Sequence, residues 1–363
     1  MTNNRADWSS VAQYTALTKE RVDAILAGIG SLKAGVIGDG CLDVYWHVDM
    51  TLSELSRETP HHNLPVVRES CFPGAAANVA MNFRDLGCAE VRFCTVIGED
   101  WRGRVLLDAL LAAGVNVDAV MAEWGRVTPA YCKTIRHGLQ DVQQEDARLD
   151  FVNGTELPAE ATERFLRLLD SMAKEVDVIC VTDQLRGGVI NDAVRERLRY
   201  WANAGKMIVV DSRNRIGSYN GMILKPNEIE ALRWFNGNQD FGQPKPDELV
   251  RAGLQLARKA GAPCCITLGE QGALWLEDGE CTFIPTVPQT GPIDIVGAGD
   301  TFATCLISAL GTGSGGPEAA AFAHLGSSVS IQKLGRTGTA TPAELAQQFE
   351  ALAKRQTNGG RSA

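Results

Sequence analysis

The segment from residue 294 to 301 combines small residues with a carboxylate at the point where a helical apolar pattern begins. Gly297, Ala298 and Gly299 let backbone N–H groups converge at a helix N-terminus, where partial positive charge favours an anion such as phosphate. Asp300 would repel that anion, but it is suited to accept a proton from an attacking hydroxyl. We therefore predict an oxyanion cradle with Asp300 as general base, the alternative being that Asp300 only caps the helix.

A second candidate site lies where a predicted strand reaches Pro226 and a helix begins. Asn227 and Glu230 are three residues apart, so both face the same side of the first helical turn. An amide and a carboxylate there can order water molecules on a Mg²⁺ ion that bridges nucleotide phosphates, because Mg²⁺ keeps several waters and few protein ligands. A capped surface helix is the alternative role of this pair.

Two further segments carry groups suited to hold a polyhydroxylated substrate. Asp43 follows the predicted strand 34–38, at the strand end where ligands of an open α/β sheet bind, and its carboxylate can accept hydrogen bonds from two hydroxyls. Around Asn78, small residues such as Gly74 allow close backbone approach, and the amide offers both a donor and an acceptor. These residues predict a sugar clamp.

The elements that must position these groups alternate between short β-rich runs and amphipathic helical stretches over residues 34–350. Such alternation predicts an α/β fold with a doubly wound, mostly parallel sheet covered by helices. Residues 44–71 and 125–151 have strand character without helices, which predicts a small inserted β-sheet that serves as a lid. Residues 1–33 are predicted as a helical extension from their apolar spacing, and 351–363 as a polar, frayed tail.

The charge balance excludes some classes of partner. A formal net charge of -9 and a pI near 5.2 argue against binding to nucleic acid or anionic membranes, which require a basic field. The sequence has no run of 18 or more apolar residues and its first residues are polar, so we expect a cytoplasmic protein that acts on small molecules. The cysteines lie in apolar segments without the pair spacing of zinc sites, which predicts buried thiols and no structural metal.

The Asp-x-x-Gly-Ala-Gly-Asp string at 294–300 resembles the second signature of the ribokinase (PfkB) family of sugar kinases, and residues 73–80 resemble the first. Asn227 and Glu230 match the family's Asn-x-x-Glu motif, and residues 266–273 resemble the strand-turn-strand beside its nucleotide. The resemblance implies a ribokinase-like fold, ATP as phosphoryl donor and Mg²⁺ as cofactor. It also implies that ATP is contacted by Asn227, Thr267, Gly269, Gly272 and Gly299.

Ala75 occupies a position that is commonly glycine in this family, so a positive φ there would strain the backbone. The family pattern also implies a monovalent cation such as K⁺ near Asp294 and residues 335–339. Both expectations concern backbone geometry that the sequence alone does not provide.

Within the family, the segments around Asp43, Arg148 and Asp183 most resemble kinases that phosphorylate D-glycero-D-manno-heptose 7-phosphate at C1. A substrate that already carries phosphate requires cationic side chains near the lid. The candidates are Lys133, Arg136, Arg148 and Arg186. The predicted substrate site comprises Asp43, Gly74, Asn78, Lys133, Arg136 and Asp183.

Departures from the heptose kinase pattern at residues 61–63 and 211–214 leave other acceptors open. The alternatives are PfkB kinases that act on fructose, ribose, 2-keto-3-deoxygluconate or a nucleoside, and a non-catalytic sugar-binding regulator. A β-lid with unpaired strand edges tends to pair with a second copy, because exposed edge N–H and C=O groups lack partners. We therefore predict a homodimer through the lid, with a sugar or sugar phosphate as the small-molecule partner.

Overall fold

The computed structural model describes residues 7–237, 242–289, 291–335 and 337–359 of the chain. Within these ranges, ten strands form one large sheet. They are β1 Ala12–Gln13, β2 Lys33–Gly38, β5 Glu90–Gly98, β6 Asn116–Glu123, β10 Val178–Asp183, β11 Met207–Ser212, β12 Ile223–Leu224, β13 Cys264–Thr267, β14 Gly272–Glu277 and β15 Glu280–Pro285. Their order is β1-β15-β14-β13-β12-β11-β10-β2-β5-β6, and only β14 runs antiparallel to its two neighbours. The predicted mostly parallel sheet is confirmed.

Helices cover both faces of this sheet. They are α1 Lys19–Ile29, α2 Ala76–Asp85, α3 Trp101–Ala112, α4 Ala159–Glu175, α5 Asp192–Asn203, α6 Glu228–Phe235, α7 Pro246–Ala260, α8 Ala298–Gly311, α9 Gly316–Ser330 and α10 Pro342–Gly359. One hydrophobic core contains buried residues of α1, α2, α3, α8, α9 and α10, and the other contains those of α4, α5, α6 and α7. The sheet is therefore doubly wound, as the alternation of elements predicts.

The central strand β10 shows why a continuous apolar run becomes a strand here. Val178 and Cys180 belong to the first core, whereas Ile179 and Val181 belong to the second. Because successive side chains of a strand point to opposite faces, a strand covered on both sides is apolar throughout.

A smaller second sheet lies beside the first. It is built from β3 Gly40–Asp49, β4 Val66–Ala75, β7 Ala130–His137, β8 Gln143–Glu145 and β9 Leu149–Phe151. The order is β4-β3-β7-β8, and β9 also pairs with β7. Both predicted β-stretches thus join one sheet, although β3 begins before residue 44 and β4 continues past residue 71, to Ala75.

The first residues differ from the predicted helical extension. Helix α1 begins only at Lys19, after Thr18 accepts a hydrogen bond from the backbone of Arg21 as N-cap. Before it, β1 pairs in parallel with β15, and Trp8 stacks on Phe283 with ring centroids 5.1 Å apart. The apolar residues before Thr18 are therefore spaced by packing on the sheet edge, so the predicted helical extension was wrong for these residues and agrees with the structure only over Lys19–Ile29.

Two further expectations concern the remainder of the chain. The predicted polar tail does not begin at residue 351, because α10 continues to Gly359. The cysteines are free thiols, and all except Cys71 and Cys281 are buried, as predicted. Among the helices of the described ranges, none has both the length and the apolar character needed to cross a membrane.

Candidate active site

A cavity of about 770 Å³ opens between the two sheets. Asp211 and Thr267 reach it from the carboxyl ends of β11 and β13, and Asp43 and Lys133 reach it from the small sheet. The N-terminus of α8 also borders it, with Asp300 in the first turn. The cavity therefore lies where open α/β sheets bind ligands, and it brings together residues from most of the predicted motifs.

Asp300 is held by an amide from a distant part of the chain. The Nδ2 atom of Asn78, in the first turn of α2, donates a hydrogen bond of 2.7 Å to Oδ2 of Asp300. Burial raises the pKa of Asp300 to about 7, and the charge of Asp211 adds to the rise, while Asn78 and Lys225 oppose it. A carboxyl group with this pKa ionises near neutral pH, which suits a general base.

The start of α8 only partly matches the predicted cradle. Gly297 is the N-cap with a φ of 81°, and a Cβ there would lie 2.6 Å from Cγ2 of Thr337, so glycine is required. The N–H of Ala298 donates to the carbonyl of Ile295 at 3.2 Å. Within the described ranges, the N–H groups of Gly297, Gly299 and Asp300 have no such acceptor. These three groups are available to bind an anion.

A buried ion pair that the sequence reasoning missed lies beside this helix start. Lys225 is 3% exposed, and its Nζ atom lies 2.9 Å from Oδ2 of Asp211. Burial disfavours the charge of Lys225, but Asp211 and Glu230 raise its pKa above the ordinary value, so it stays protonated. The Nζ atom is also 3.9 Å from the point where a Cβ of Gly299 would be, which places a fixed positive charge next to the anion site.

Asn227 and Glu230 form a capping box at the start of α6, which is the role given above as the alternative to Mg²⁺ binding. Asn227 Oδ1 accepts from the backbone N–H of Glu230 at 2.8 Å, and Glu230 Oε2 accepts from the backbone N–H of Asn227 at 2.9 Å. Both residues also line the cavity. The cap and a ligand role are therefore compatible.

The same residues fit a divalent cation. Burial and the nearby charge of Asp211 raise the pKa of Glu230 to about 7, although Lys225 opposes the rise. Two carboxylates crowded at a cavity wall are hard oxygen ligands, and a bound cation would relieve their mutual repulsion. Asp211, Asn227 and Glu230 are accordingly the residues that would hold Mg²⁺.

Asp43 and Gly74 meet at the side of the cavity formed by the small sheet. A Cβ on Gly74 would lie 2.8 Å from Oδ2 of Asp43, so only glycine leaves room for this carboxylate. Burial raises the pKa of Asp43, while Lys133, a hydrogen bond from Thr337 at 3.4 Å and Arg148 lower it. The carboxylate is thus held in place but not neutralised by a direct ion pair.

The predicted cationic residues separate into two groups. Lys133 and Arg148 line the cavity, together with Arg213, which sequence reasoning noted only as a departure from the heptose kinase pattern. Arg136 pairs with Asp146 at 2.8 Å and Arg186 is exposed, and neither is among the described lining residues.

Asp183 is not brought to the cavity wall. It is 1% exposed and accepts hydrogen bonds from Ser212 Oγ at 2.8 Å and Tyr219 Oη at 2.7 Å. Its carboxylate also forms an ion pair with Arg215. These bonds occupy both carboxylate oxygens and link β10 to β11 and to the residues that follow it.

The residues predicted to contact ATP are also divided. Thr267 and Gly269 line the cavity. Gly272 has a φ of 131°, and a Cβ there would lie 2.1 Å from the carbonyl oxygen of Ile284, so this glycine shapes the turn between β13 and β14. Asp294 accepts from the backbone N–H groups of Val296 at 3.0 Å and Gly335 at 3.2 Å. The K⁺ site near Asp294 stays a prediction.

His324 is a further lining residue that no sequence motif indicated. Its ring lies edge-to-face with Phe302, with centroids 5.0 Å apart. Burial lowers the pKa of His324 to about 4, so the ring is neutral, and within the described residues its Nε2 atom is buried without a partner. His324 therefore contributes an uncharged ring to the cavity wall.

Sequence comparison identifies relatives of this chain. A model of the family described as pfkB family carbohydrate kinase matches residues 42–344. The protein named bifunctional protein HldE from Geobacter sulfurreducens is 30% identical over 334 residues, and that from Geobacter metallireducens is 32% identical over 337 residues. Each match covers 91% of this chain and 65% of the relative, so the chain spans about two thirds of their length.

Solved structures share the fold at lower identity. Ribokinase from Arabidopsis thaliana in complex with ribose and ATP superposes with a TM-score of 0.65 at 18% identity, covering 88% of this chain and 99% of that one. Phosphofructokinase-2 from Escherichia coli in complex with potassium gives a TM-score of 0.66 at 18% identity, with 89% and 99% coverage. These likenesses confirm the ribokinase-like fold.

Proposed function

The chain belongs to the pfkB family of carbohydrate kinases, and we propose that it transfers the γ-phosphoryl group of ATP to a hydroxyl of a sugar phosphate. The observation that carries this proposal is the position of Asp300. Its carboxylate is oriented by Asn78. The N–H groups of Gly299 and of Asp300 itself lack backbone acceptors within the described ranges, and the charge of Lys225 lies beside Gly299. A proton acceptor and an anion site are thus adjacent, as phosphoryl transfer to a hydroxyl requires.

In the proposed reaction, Asp43 and residues near Asn78 hold the acceptor while Asp300 accepts the proton of the attacking hydroxyl. The hydroxyl oxygen forms a bond to the γ-phosphorus, and the bond from that phosphorus to the bridging oxygen breaks, so ADP leaves with the electron pair. The N–H groups of Gly299 and Asp300, with Lys225, stabilise the negative charge on the transferred oxygens. Mg²⁺ held by the carboxylate cluster around Glu230 would neutralise charge on the nucleotide phosphates.

The cationic lining supports an acceptor that already carries phosphate, and we propose heptose 7-phosphate. Lys133, Arg148 and Arg213 lie on the wall that also holds Asp43 and Tyr131. A phosphate on the acceptor would give Lys133 and Arg213 an anionic partner that a free sugar does not provide. The side chain of Arg148 is stabilised over Tyr131, 4.3 Å from the ring centroid, and by its ion pair with Asp150, so it is positioned before a ligand binds.

A coupled assay of ADP release tests this proposal with matched pairs of free and phosphorylated sugars. We expect turnover with phosphorylated acceptors and a loss of about 10²- to 10⁴-fold in the Asp300→Asn variant. Arg213→Met should raise KM for the phosphorylated acceptor, whereas Arg136→Met, whose arginine pairs with Asp146 outside the cavity, should not. No ADP release with any sugar would refute the kinase, and equal turnover of free and phosphorylated sugars would refute the acceptor class.

We also propose that the small sheet forms a homodimer. Its surface exposes several large apolar side chains, among them Val66 at 52% and Leu139 at 75%. Lysine at both positions should shift the protein to the monomer in sedimentation equilibrium, whereas Leu111→Lys on α3, also an exposed leucine, should not. A monomer of the unaltered chain at micromolar concentration would contradict the proposal.

A further inference from the structure

Ala75 adopts a backbone conformation that is unfavourable for a residue with a side chain. Its φ is 49° and its ψ is −127°, outside the left-handed helical region as well as the main allowed regions. The other described non-glycine residues with positive φ are Gln140, Asp141 and Asp278, and all three lie in turns between strands. Such conformations persist where the surrounding structure enforces them and cluster at functional sites.

The fold explains why the backbone bends at this residue. Ala75 is the last residue of β4, paired with Gly40 of β3, and it is also the N-cap of α2. Helix α2 begins at the next residue, Ala76, whose N–H donates to the carbonyl of Asp39 at 3.1 Å. That sharp turn brings Asn78 to Asp300. Glycine would make the same turn without strain, so the turn does not account for the methyl group.

Ala75 belongs to the proposed acceptor site. It lines the cavity and follows Gly74, where a side chain would press against the carboxylate of Asp43. Three residues after it, Asn78 is bonded to Asp300. Position 75 is therefore close in the chain both to Gly74, which packs on the carboxylate proposed to hold the sugar, and to Asn78, which orients the proposed base.

We infer that the methyl group of Ala75 determines acceptor specificity, by favouring a sugar phosphate that turns a C–H toward position 75 over a stereoisomer that turns an O–H there. This inference rests on the proposed function and adds the stereochemical selection to it. A hydroxyl facing the methyl loses its hydrogen bond to water and gains none from the protein, whereas a C–H packs against it. A glycine would leave room for water or for the hydroxyl to reach the backbone.

The Ala75→Gly variant tests the inference with a panel of hexose and heptose phosphates that differ from one another at a single stereocentre. Both kcat/KM, from ADP release, and Kd, from titration calorimetry, are measured for each epimer. We expect at least one epimer pair to be discriminated about tenfold or more by the unaltered chain and about tenfold less by the variant. Ala77→Gly removes the same atoms from a buried position of α2 that is not among the described lining residues, and it should keep the original ratios.

The outcomes separate this inference from the proposed function. Unchanged epimer ratios in Ala75→Gly, or the same change in Ala77→Gly, would overturn the role of Ala75 while ADP release continues. If the unaltered chain binds sugar phosphates but releases no ADP, the kinase proposal fails, and the ratios of Kd still decide the role of Ala75. A chain that binds none of the sugars overturns both.

Discussion

The hydrogen bond from Asn78 to Asp300 should set the pH at which the proposed kinase becomes active. The pKa of Asp300 is about 7, and this hydrogen bond is the first contribution that opposes the rise due to burial. A hydrogen bond to a charged group stabilises by about 1.5–3 kcal/mol, and one pKa unit corresponds to about 1.4 kcal/mol. The Asn78→Ala variant should therefore raise the pKa of Asp300 by about one to two units.

The sign follows from the role of the carboxylate. Only ionised Asp300 accepts a proton, so kcat/KM falls as the pH drops below about 7 in the unaltered chain. At pH 7 the shifted ionisation alone should lower kcat/KM about 5- to 50-fold in Asn78→Ala, and most of this loss should be recovered near pH 9. Any loss of sugar binding would lower the whole profile without moving its midpoint.

The assay is ADP release across pH 5.5 to 9.5, in buffers of constant ionic strength. Asn82→Ala is the comparison variant, because Asn82 lies one helical turn further along α2 and bonds Thr301 and the carbonyl and Oδ1 atoms of Asn78 rather than Asp300. Its midpoint should shift less than that of Asn78→Ala, because the Asn78 amide that donates to Asp300 remains. An unmoved midpoint in Asn78→Ala, or an equal shift in Asn82→Ala, would refute the coupling between Asn78 and Asp300.

Four other expectations follow from the described contacts. Ala75→Gly should raise the free energy of unfolding by about 1 kcal/mol in urea titrations, because relief of strain exceeds the entropy cost of glycine; a decrease would contradict the strained backbone. Lys225→Met should lower kcat by about 10²- to 10³-fold, because it removes a positive charge beside the transferred phosphoryl group. Adding Asp211→Asn removes the unpaired charge that Lys225→Met leaves, so it should restore the melting temperature but not turnover. Activity near that of the unaltered chain in Lys225→Met would exclude Lys225 from charge stabilisation. Asp183→Asn should reduce the free energy of unfolding by roughly 2–3 kcal/mol, a moderate loss because its partner Arg215 keeps some contact with solvent. KM should be unchanged, and a raised KM would indicate that Asp183 belongs to the substrate site. Replacing K⁺ by tetramethylammonium should lower turnover, and equal rates in both salts would count against a K⁺ site near Asp294.

The fold class could be predicted from the sequence because it depends on local periodicity. Strands buried on both faces contain continuous apolar runs, as over Val178–Val181 of β10, and the covering helices are amphipathic, so the alternation of elements is visible without coordinates. The helical extension predicted for residues 1–33 was wrong before Lys19, and that error has the same origin. Apolar spacing in a short segment does not show whether the residues pack on a helix face or on the edge of a sheet, as Trp8 does against Phe283.

The chemical groups of the site were also recognisable from the sequence alone, because Asp300 and the Asn227 and Glu230 pair lie in short strings whose residue types suit their chemistry. Only the tertiary structure decided which other groups join them. Asn78 bonds Asp300 across 222 residues of chain, and Lys225 meets Asp211 from a neighbouring strand. Such contacts depend on strand order and on the end of the sheet at which each strand finishes, and no local pattern encodes either.

The structure also separated residues that look alike in sequence. Asp43 and Asp183 both follow buried strand residues, yet Asp43 faces the cavity, whereas Asp183 is enclosed by Ser212, Tyr219 and Arg215. Ala75 is a further example. An alanine at a position that is commonly glycine does not show whether φ is positive there, and only the structure gives that angle. The sequence thus determined the fold class and the reactive groups, while long-range packing decided their partners, burial and charge states.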